Sequence, residues 1–355
     1  MNNKLIYWNG ELNKEYNDIV GKKCANIGEL VKIGFRVPPG YSIAVDAYEE
    51  FMENSNAIED IRQHLVTFTA DPNLPADMPK YAELSKELRR IVELKTISQA
   101  TADTIASYYK ELCMKAGVCD VPVSVRSSGP VSHPGQFETY LHVIGTQNLA
   151  ANVIKVWSST FNQRSLIKRA REGSLLESDP IGVCVLQMVN ARSAGVMFTI
   201  NPMNGDPSKI MIEGNWGLGE GVVSGEVTPD EWVIDKAISE IIEAKISQKL
   251  KQYIVNPKTD RASFADMPTP KQNAPCLTEQ EILELAKMGR RIEEHFGVAQ
   301  DIEWAVDASL PFPDNIFILQ ARQEQIWSKK KAAPKLRTTG SLLGDIAGML
   351  KDMKA

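Results

Sequence analysis

The sequence predicts an α+β protein, in which helices and strands occupy different stretches of the chain. Residues 50–116 carry mostly helical patterns, with a break at the Pro- and Asp-rich segment ADPNLPADMP. From residue 181 onward, short apolar runs separated by Gly, Asn and Pro indicate a sheet: IGVCVLQMV, AGVMFTI, KIMIEGNW and DEWVIDK. At 355 residues, the chain is long enough for two or three lobes with a sizeable core.

Bulk composition excludes several classes of protein. With 43% hydrophobic and 24% charged residues, the chain is ordinary for a globular protein and not for a disordered one. A net charge of −5 argues against nucleic acid as the main partner, because phosphate backbones favour a basic surface. The chain has no apolar run long enough to cross a membrane and no signal peptide at its N-terminus, so we expect a cytoplasmic protein. Five cysteines without CxxC spacing predict reduced thiols rather than disulfides or a metal site.

The first elements lie in the segment GKKCANIGELVKIGFRVPPGYSIAV. Helical spacing of Ala25, Ile27, Leu30 and Val31 predicts a helix that ends at Gly34. VPPGYSIAV then predicts a turn that leads into a strand.

Further along the chain, VPVSVRSS (121–128) predicts a strand and residues 148–173 have helical periodicity. Thr278 and Glu281 predict a capping box for the helix EQEILELAKMGRRIEEHF. After Trp327 the composition changes to a basic linker, SKKKAAPKLRTTG, and a short amphipathic stretch, SLLGDIAGMLKDMKA.

The segment DIEWAVDASLPFPDNIFILQARQ (301–323) predicts a hairpin with an unusual polar face. Alternation puts Asp301 and Glu303 on one face of the first strand, and Ile316, Ile318, Gln320 and Arg322 together on one face of the second. If the polar faces of the two strands coincide, the side-chain oxygens of Asp301, Glu303 and Gln320 are suited to Mg²⁺. The guanidinium of Arg322 beside them is suited to a terminal phosphate. An edge hairpin with a solvated polar face is the ordinary alternative.

Three other segments suggest anion binding. Gly21, Lys22 and Lys23 precede a helix and would present an ammonium and backbone N–H groups, although a solvated lysine pair is the common case. SVRSSGPVSHPGQFETY has the composition of a phosphate cradle, and also of many ordinary loops, and we interpret His133 within it as a loop histidine. The glycine-dense EGNWGLGEGVVSGEVTPDEW suits either a phosphate-covering or lobe-joining loop, or bulged hairpin turns.

Six segments in this order resemble motifs of the nucleotide-binding region of phosphoenolpyruvate synthase, pyruvate phosphate dikinase and rifampicin phosphotransferase. They are GKKCANIGELVKIGFRVPPGY, VSVRSS, GQFETYL, SAGVMFTINP, WGLGEGVVSGEVTPDEWV and the hairpin strands DIEWAVD and ILQAR. The resemblance covers residues 5–325, and six motifs in order are more specific than any one. It implies an ATP-grasp fold in which an N-terminal lobe (1–180, with a helical insert at about 50–116) and a C-terminal lobe (181–327) clamp ATP and Mg²⁺.

The resemblance also implies roles for individual residues. The catalytic, ATP-contacting positions fall on Lys23, Arg126 and Arg322, and the hinge that holds adenine falls on Gln187, Met188 and Val189. The metal-binding positions fall on Glu303 and Gln320, with Asp301 in support. The chain has Gly21-Lys22-Lys23 where the family usually has Gly-Gly-Lys. Its loop after Ser128 is shorter than in the family, which leaves Gly135 and Gln136 as the expected nucleotide contacts there.

In full-length relatives, the nucleotide domain phosphorylates a histidine on a swivelling domain. None of the four histidines (His64, His133, His142 and His295) lies in such a carrier motif. The resemblance therefore implies a split enzyme that releases AMP and phosphate, with the histidine and the acceptor site on a partner subunit. A nucleotide subunit of this length is typical of phenylphosphate synthase, which phosphorylates phenol in anaerobic aromatic degradation.

Other interpretations stay open at this point. A stand-alone ATP-grasp ligase would form ADP through an acyl phosphate and would need no partner histidine. A regulatory subunit would bind ATP without transfer, and a fragment of a larger dikinase would continue into a carrier domain. Residues 328–355 either dock the partner or form a disordered tail.

Overall fold

The computed structural model describes residues 4–130 and 138–327. His133, Gly135 and Gln136 lie outside the described residues, as do the linker and tail at 328–355. The predictions for these positions therefore stay predictions.

Most of the helices in the described ranges lie in the first half of the chain. In chain order, the helices are α1 (Asn17–Val20), α2 (Lys22–Lys32), α3 (Val45–Asn54), α4 (Ala57–Leu65), α5 (Met78–Glu93), α6 (Gln99–Ala116), α7 (Thr146–Ser158), α8 (Gln163–Arg171), α9 (Glu220–Val223), α10 (Thr269–Gln272) and α11 (Glu279–Phe296). The predicted helical stretch at 50–116 is confirmed, with its break between α4 and α5. The periodic segment 148–173 forms two helices rather than one, because the Asn162 side chain accepts a hydrogen bond from the Ser165 N–H and begins α8.

The strands form three sheets. They are β1 (Ile6–Trp8), β2 (Gly40–Ile43), β3 (Val123–Ser128), β4 (Thr139–Val143), β5 (Gly182–Gln187), β6 (Ala191–Phe198), β7 (Lys209–Trp216), β8 (Asp230–Asp235), β9 (Glu240–Lys245), β10 (Lys251–Asn256), β11 (Arg261–Asp266), β12 (Gln300–Asp307) and β13 (Ile316–Gln323). The sheet orders are β1-β2-β5-β3-β4, β13-β12-β6-β7-β8-β9 and β10-β11, and all the pairings within them are antiparallel.

The first sheet has β5 at its centre, between β2 and β3. Val183 and Val185 pack into the core formed with the surrounding helices, whereas Cys184 and Leu186 pack against α2 on the other face. A strand buried on both faces shows no polar alternation, which is why IGVCVLQMV is apolar throughout. The predicted lobe boundary at residue 180 assigned this strand to the second lobe; the pairing places it in the first sheet, and the boundary between the sheets falls after Gln187.

The second sheet packs its apolar face against α11. The predicted capping box is present, since the Thr278 hydroxyl accepts from the Glu281 N–H and the Glu281 carboxylate accepts from the Thr278 N–H. The helix ends at Gly297, whose φ of 70° is the left-handed conformation that glycine adopts readily. Ile282 and Leu285 of α11 bury against Trp304 and Ile318 of the hairpin strands.

A β-bulge between β12 and β13 contradicts the prediction that Ile316 and Ile318 share a face with Gln320 and Arg322. Asp301 pairs with Arg322 and Glu303 with Gln320, but Trp304 pairs with Ile318, so Leu319 has no partner on β12. The extra residue changes which face the following side chains occupy. Ile316 and Ile318 therefore lie in the apolar core, while Gln320 and Arg322 lie on the opposite face with Glu303.

Together, the sheets and the helices confirm the predicted α+β class, and a cavity lies between the two larger sheets. The five cysteines are free thiols, as predicted. None of the described helices combines the length and the apolar composition needed to cross a bilayer.

Candidate active site

A cavity of about 810 Å³ lies between the two larger sheets. This volume is within the usual range for a site that holds a small molecule or cofactor. Eight of the residues predicted to bind nucleotide or metal line it: Lys23, Arg126, Gln187, Met188, Val189, Glu303, Gln320 and Arg322. The folding thus brings together side chains that are up to about 300 positions apart in the sequence.

The N-terminus of α2 is joined to the end of β3. The Lys22 N–H donates to the Gly129 carbonyl at 2.8 Å, and the Cys24 N–H donates to the Ser128 hydroxyl at 3.0 Å. The N–H groups of Lys22 and Cys24 are therefore not free to bind an anion, although backbone N–H groups at this helix start were expected to do so. The Lys23 side chain, by contrast, lines the cavity. Burial, and after it the neighbouring Arg126, lowers the pKa of its ammonium to about 8.

Arg126 connects the two sheets. From β3, its guanidinium donates to the Glu303 carboxylate on β12 and to the Leu319 carbonyl at 3.4 Å. Burial by itself would lower the pKa of Arg126, but Glu303 raises it above its ordinary value. Burial would likewise raise the pKa of the Glu303 carboxyl, but Arg126 and then Lys23 lower it below its usual range. Both groups are consequently charged at neutral pH, in a place where the low dielectric strengthens electrostatic interactions.

Arg322 is held in place by Asp301. Its Nε and Nη2 atoms donate to Asp301 Oδ2 at 2.8 Å and 2.6 Å. Asp301 is not among the described residues that line the cavity, and burial raises the pKa of its carboxyl while Arg322 opposes that effect. The geometry therefore fits a residue that orients Arg322 more closely than it fits a ligand of a metal.

The donor atoms that face the cavity suit Mg²⁺. Glu303 and Gln320 lie directly opposite each other, and Gln320 Oε1 is a buried acceptor with no hydrogen-bond partner among the described residues. Mg²⁺ is usually held by one or two protein oxygens together with substrate phosphates. Within residues 4–130 and 138–327, no cluster of three or more His, Cys, Asp or Glu side chains would hold a metal by itself. A cation shared with phosphate oxygens fits this donor set.

The segment predicted as the adenine hinge lies at the end of β5. The Gln187 N–H donates to the Pro39 carbonyl at 2.9 Å, and the Met188 N–H donates to the Pro122 carbonyl at 2.8 Å. These bonds fix the backbone of the segment where it passes the cavity. Leu186 and Pro38 also line the cavity, so this part of the wall is apolar and chemically suited to a flat ring.

Sequence reasoning left several cavity residues unassigned. Glu220 lies in the glycine-dense segment, and its carboxyl has a pKa raised by burial and then by Glu303. Glu138, directly before β4, and Tyr140 of β4 line the cavity, and Arg89 of α5 donates two hydrogen bonds of 2.6 Å and 2.9 Å to the Glu138 carboxylate. The sequence predicted a loop after Ser128, but nothing in it connects Arg89 with Glu138, because they are on separate elements.

Similarity to solved structures is low. D-alanyl-alanine synthetase A from Vibrio cholerae has 13% identity and a TM-score of 0.27, with 68% of this chain and 55% of that chain covered. An L-amino acid ligase from Bacillus licheniformis has 14% identity and a TM-score of 0.25, with 77% and 56% covered. At such TM-scores, neither similarity supports an argument about this protein.

Sequence relatives are much closer. A probable phosphoenolpyruvate synthase of Staphylothermus marinus is 35% identical over 378 residues, which covers 99% of this chain and 45% of that protein. The phosphoenolpyruvate synthases of Aeropyrum pernix and Pyrococcus furiosus are 35% and 34% identical, covering 93% and 90% of this chain and 43% of each relative. The chain thus spans about half the length of these relatives. The family described as "Pyruvate phosphate dikinase, AMP/ATP-binding domain" matches residues 17–340, and the chain belongs to that family.

Proposed function

We propose that the chain binds ATP with Mg²⁺ in this cavity and phosphorylates a histidine on a partner subunit. The observation that carries this proposal is the convergence of Lys23, Arg126, Glu303, Gln320 and Arg322 on one cavity between two sheets. Three cationic side chains suit a triphosphate, and a carboxylate beside an unpartnered amide oxygen suits its cation.

The protein's own residues position the reaction rather than take part in it covalently. Lys23, Arg126 and Arg322 neutralise the phosphate oxygens and hold the chain of phosphates in line with an incoming imidazole. Bound Mg²⁺ would supply further charge neutralisation, with Glu303 and Gln320 as its protein ligands. Because the donors are fixed before the substrate arrives, they stabilise the charge that develops during transfer at little reorganisation cost.

The acceptor imidazole must come from outside the described residues that line the cavity. His142 binds Asp260 and His295 binds Glu29, and neither lines the cavity, nor does His64. From the sequence resemblance to split enzymes of this family, we propose a histidine on a partner subunit as the acceptor. Its ring nitrogen attacks the β-phosphorus of ATP, which forms a P–N bond and breaks the bond from that phosphorus to the oxygen that bridges to the α-phosphorus; AMP leaves and the ring N–H proton goes to solvent. Water then cleaves the β–γ anhydride, which releases inorganic phosphate and leaves the β-phosphoryl group on the histidine.

The final acceptor is a small molecule bound by the partner. From the sequence resemblance to phenylphosphate synthase, we propose a phenolic hydroxyl, in a cytoplasmic enzyme of anaerobic aromatic degradation. Phosphoryl transfer from the phosphohistidine to that hydroxyl breaks the P–N bond and forms a P–O bond, and the hydroxyl proton leaves to solvent.

The first test uses ATP labelled at the β-phosphate, Mg²⁺, the purified chain and an extract of the native cell. We expect acid-labile label on the histidine of a second polypeptide and formation of AMP, both dependent on this chain. Glu303→Gln and Arg322→Ala should abolish both without unfolding the protein, while Lys86→Ala on the solvent-exposed surface of α5 should retain them. ADP as the nucleotide product without a labelled protein would support an acyl-phosphate ligase instead, and ATP binding without any product would support a regulatory subunit.

A further inference from the structure

A two-stranded hairpin lies outside both larger sheets and connects the two sides of the cavity. It consists of β10 and β11, paired from Lys251 with Asp266 to Asn256 with Arg261. Strand β10 contacts the glycine-rich loop (217–225), which connects β7 with β8 and contains the short helix α9, and the tip of the hairpin reaches β4, the edge strand of the first sheet. None of its residues lines the cavity within the described part of the chain, so the function proposed above leaves this hairpin without a role.

The base of the hairpin is fixed to the glycine-rich loop by close backbone contact. Gly217 forms a parallel bridge with Tyr253, and the Leu218 N–H donates to the Tyr253 carbonyl at 2.7 Å. A Cβ atom on Gly217 would lie 2.4 Å from that carbonyl oxygen, so only glycine permits the approach. Leu218, Gly219 and Glu220 line the cavity. The position of the hairpin therefore sets the position of this part of the cavity wall.

Among the described residues, a histidine and a carboxylate connect the tip of the hairpin to the opposite wall. His142 Nε2 lies 2.9 Å from Asp260 Oδ1, and His142 is on β4 directly after the cavity-lining residues Tyr140 and Leu141. Both residues have left-handed backbone angles, with φ of 58° and 52°. Such conformations in residues other than glycine are kept only where the surroundings hold them, and they concentrate at functional clamps.

We propose that His142 and Asp260 are positioning residues that hold the glycine-rich loop over the bound triphosphate. The Asp260 side chain is 74% exposed, so the pair contributes at most about 1 kcal/mol and opens easily. A contact of this strength suits a closure that must release at every catalytic cycle. This assignment rests on the proposed binding of ATP in the cavity, and neither residue touches the nucleotide itself.

The experiment compares three variants of the full chain. Asp260→Gly removes the carboxylate and tolerates the left-handed backbone, whereas Asp260→Asn retains an acceptor for the imidazole N–H and also tolerates that backbone. Lys258→Ala is the matched control, because it lies in the same turn and its exposed side chain makes no ion pair or hydrogen bond within the described residues. Dissociation of a fluorescent ATP analogue, KM and kcat for ATP, and Tm are measured for each.

We expect Asp260→Gly to raise the dissociation rate and KM about two- to five-fold, which corresponds to about 0.4–1 kcal/mol, with kcat and Tm little changed. Asp260→Asn and Lys258→Ala should stay within about twofold of the unmodified chain. An unchanged dissociation rate and KM in Asp260→Gly would overturn the assignment, and so would a lowered Tm as its sole effect.

Hydrogen–deuterium exchange without nucleotide separates this inference from the proposed function. In the free chain, Asp260→Gly should accelerate amide exchange at 217–225, and at Leu218 in particular, relative to Lys258→Ala. If the unmodified chain binds no ATP, the proposed function fails, while the exchange data still decide whether the ion pair holds the loop. Equal exchange in all variants would refute the positioning role, whatever the nucleotide measurements show.

Discussion

The fold shifts the pKa of Lys23 toward neutral pH, where a change in protonation would affect the binding of an anion. Its side chain shares the cavity with Arg126, and burial together with that neighbour lowers the pKa of its ammonium from the ordinary 10.5 to about 8. In this window the unfolded chain binds more protons than the folded chain, so Lys23 makes the free energy of unfolding rise between about pH 8 and pH 10.5. The same group becomes a strong ligand for phosphate when it is protonated.

We predict that ATP binding takes up protons near pH 8. A triphosphate beside Lys23 favours the charged ammonium and raises its pKa, whereas in the free protein the charge is lost as the pH rises through about 8. The affinity for ATP-Mg should therefore fall as the pH rises through about 8. Calorimetry in two buffers of different ionisation enthalpy measures the uptake, and Lys23→Arg, which stays charged, is the control. Equal proton uptake in Lys23→Arg would assign the effect to another group.

At the scale of elements, the junction between α2 and β3 depends on one glycine. Gly21 has φ of 81° and ψ of 161°, a backbone conformation that residues other than glycine rarely adopt. A Cβ atom there would lie 1.8 Å from the Ser128 carbonyl oxygen. This close approach lets Ser128 accept from the Cys24 N–H and so sets the position of Lys23 in the cavity.

Gly21→Ala and Gly34→Ala make a matched pair, because both glycines have φ above 80° but nothing lies within 4 Å of a Cβ atom on Gly34. Gly34→Ala should lose about 1–2 kcal/mol from backbone strain alone. Gly21→Ala should lose about 1–3 kcal/mol from strain, with a further loss from the clash, and should weaken ATP binding as well. Denaturant unfolding and ATP titration of both variants test this. Equal losses in the two variants would contradict the role of the contact with Ser128.

The bulge at Leu319 is the second element that decides the site. In a strand without a bulge, Ile316, Ile318, Gln320 and Arg322 would share one face. The extra residue at Leu319 places Gln320 and Arg322 on the face opposite Ile318, where they line the cavity.

At the scale of the whole molecule, the candidate site belongs to neither sheet alone. Arg126 from the first sheet binds Glu303 of the second, and Asn26 of α2 donates to the Ala321 carbonyl at 2.8 Å. A ligand in this cavity contacts both lobes and should stabilise them as one unit.

We predict that ATP-Mg at about 100 times its Kd raises the free energy of unfolding by about 2.7 kcal/mol and increases Tm. Arg322→Ala should lose most of this increase, because it removes a phosphate contact, while the Tm of the free variant stays close to that of the unmodified chain. Differential scanning calorimetry with and without nucleotide makes the comparison. An undiminished ATP-dependent increase in Tm for Arg322→Ala would place the phosphates elsewhere.

Local sequence patterns predicted most of the elements, and the motifs predicted which side chains would share a cavity. Hydrophobic periodicity and capping residues are local properties of the sequence. The capping box at Thr278 and the strand that ends at Ser128 were therefore predicted correctly. Motifs in a fixed order indicated Lys23, Arg126, Glu303, Gln320 and Arg322, all of which the structure brings to one cavity.

Only the tertiary structure decided how these residues face each other. The bulge at Leu319, the place of β5 in the first sheet and the ion pair between His142 and Asp260 all depend on contacts between distant segments. Strict alternation therefore put Ile316 on the wrong face, and the predicted boundary at residue 180 divided the chain before a strand that completes the first sheet. Local sequence constrains the backbone over a few residues, whereas strand order and lobe contacts are set by which surfaces bury the most apolar area together.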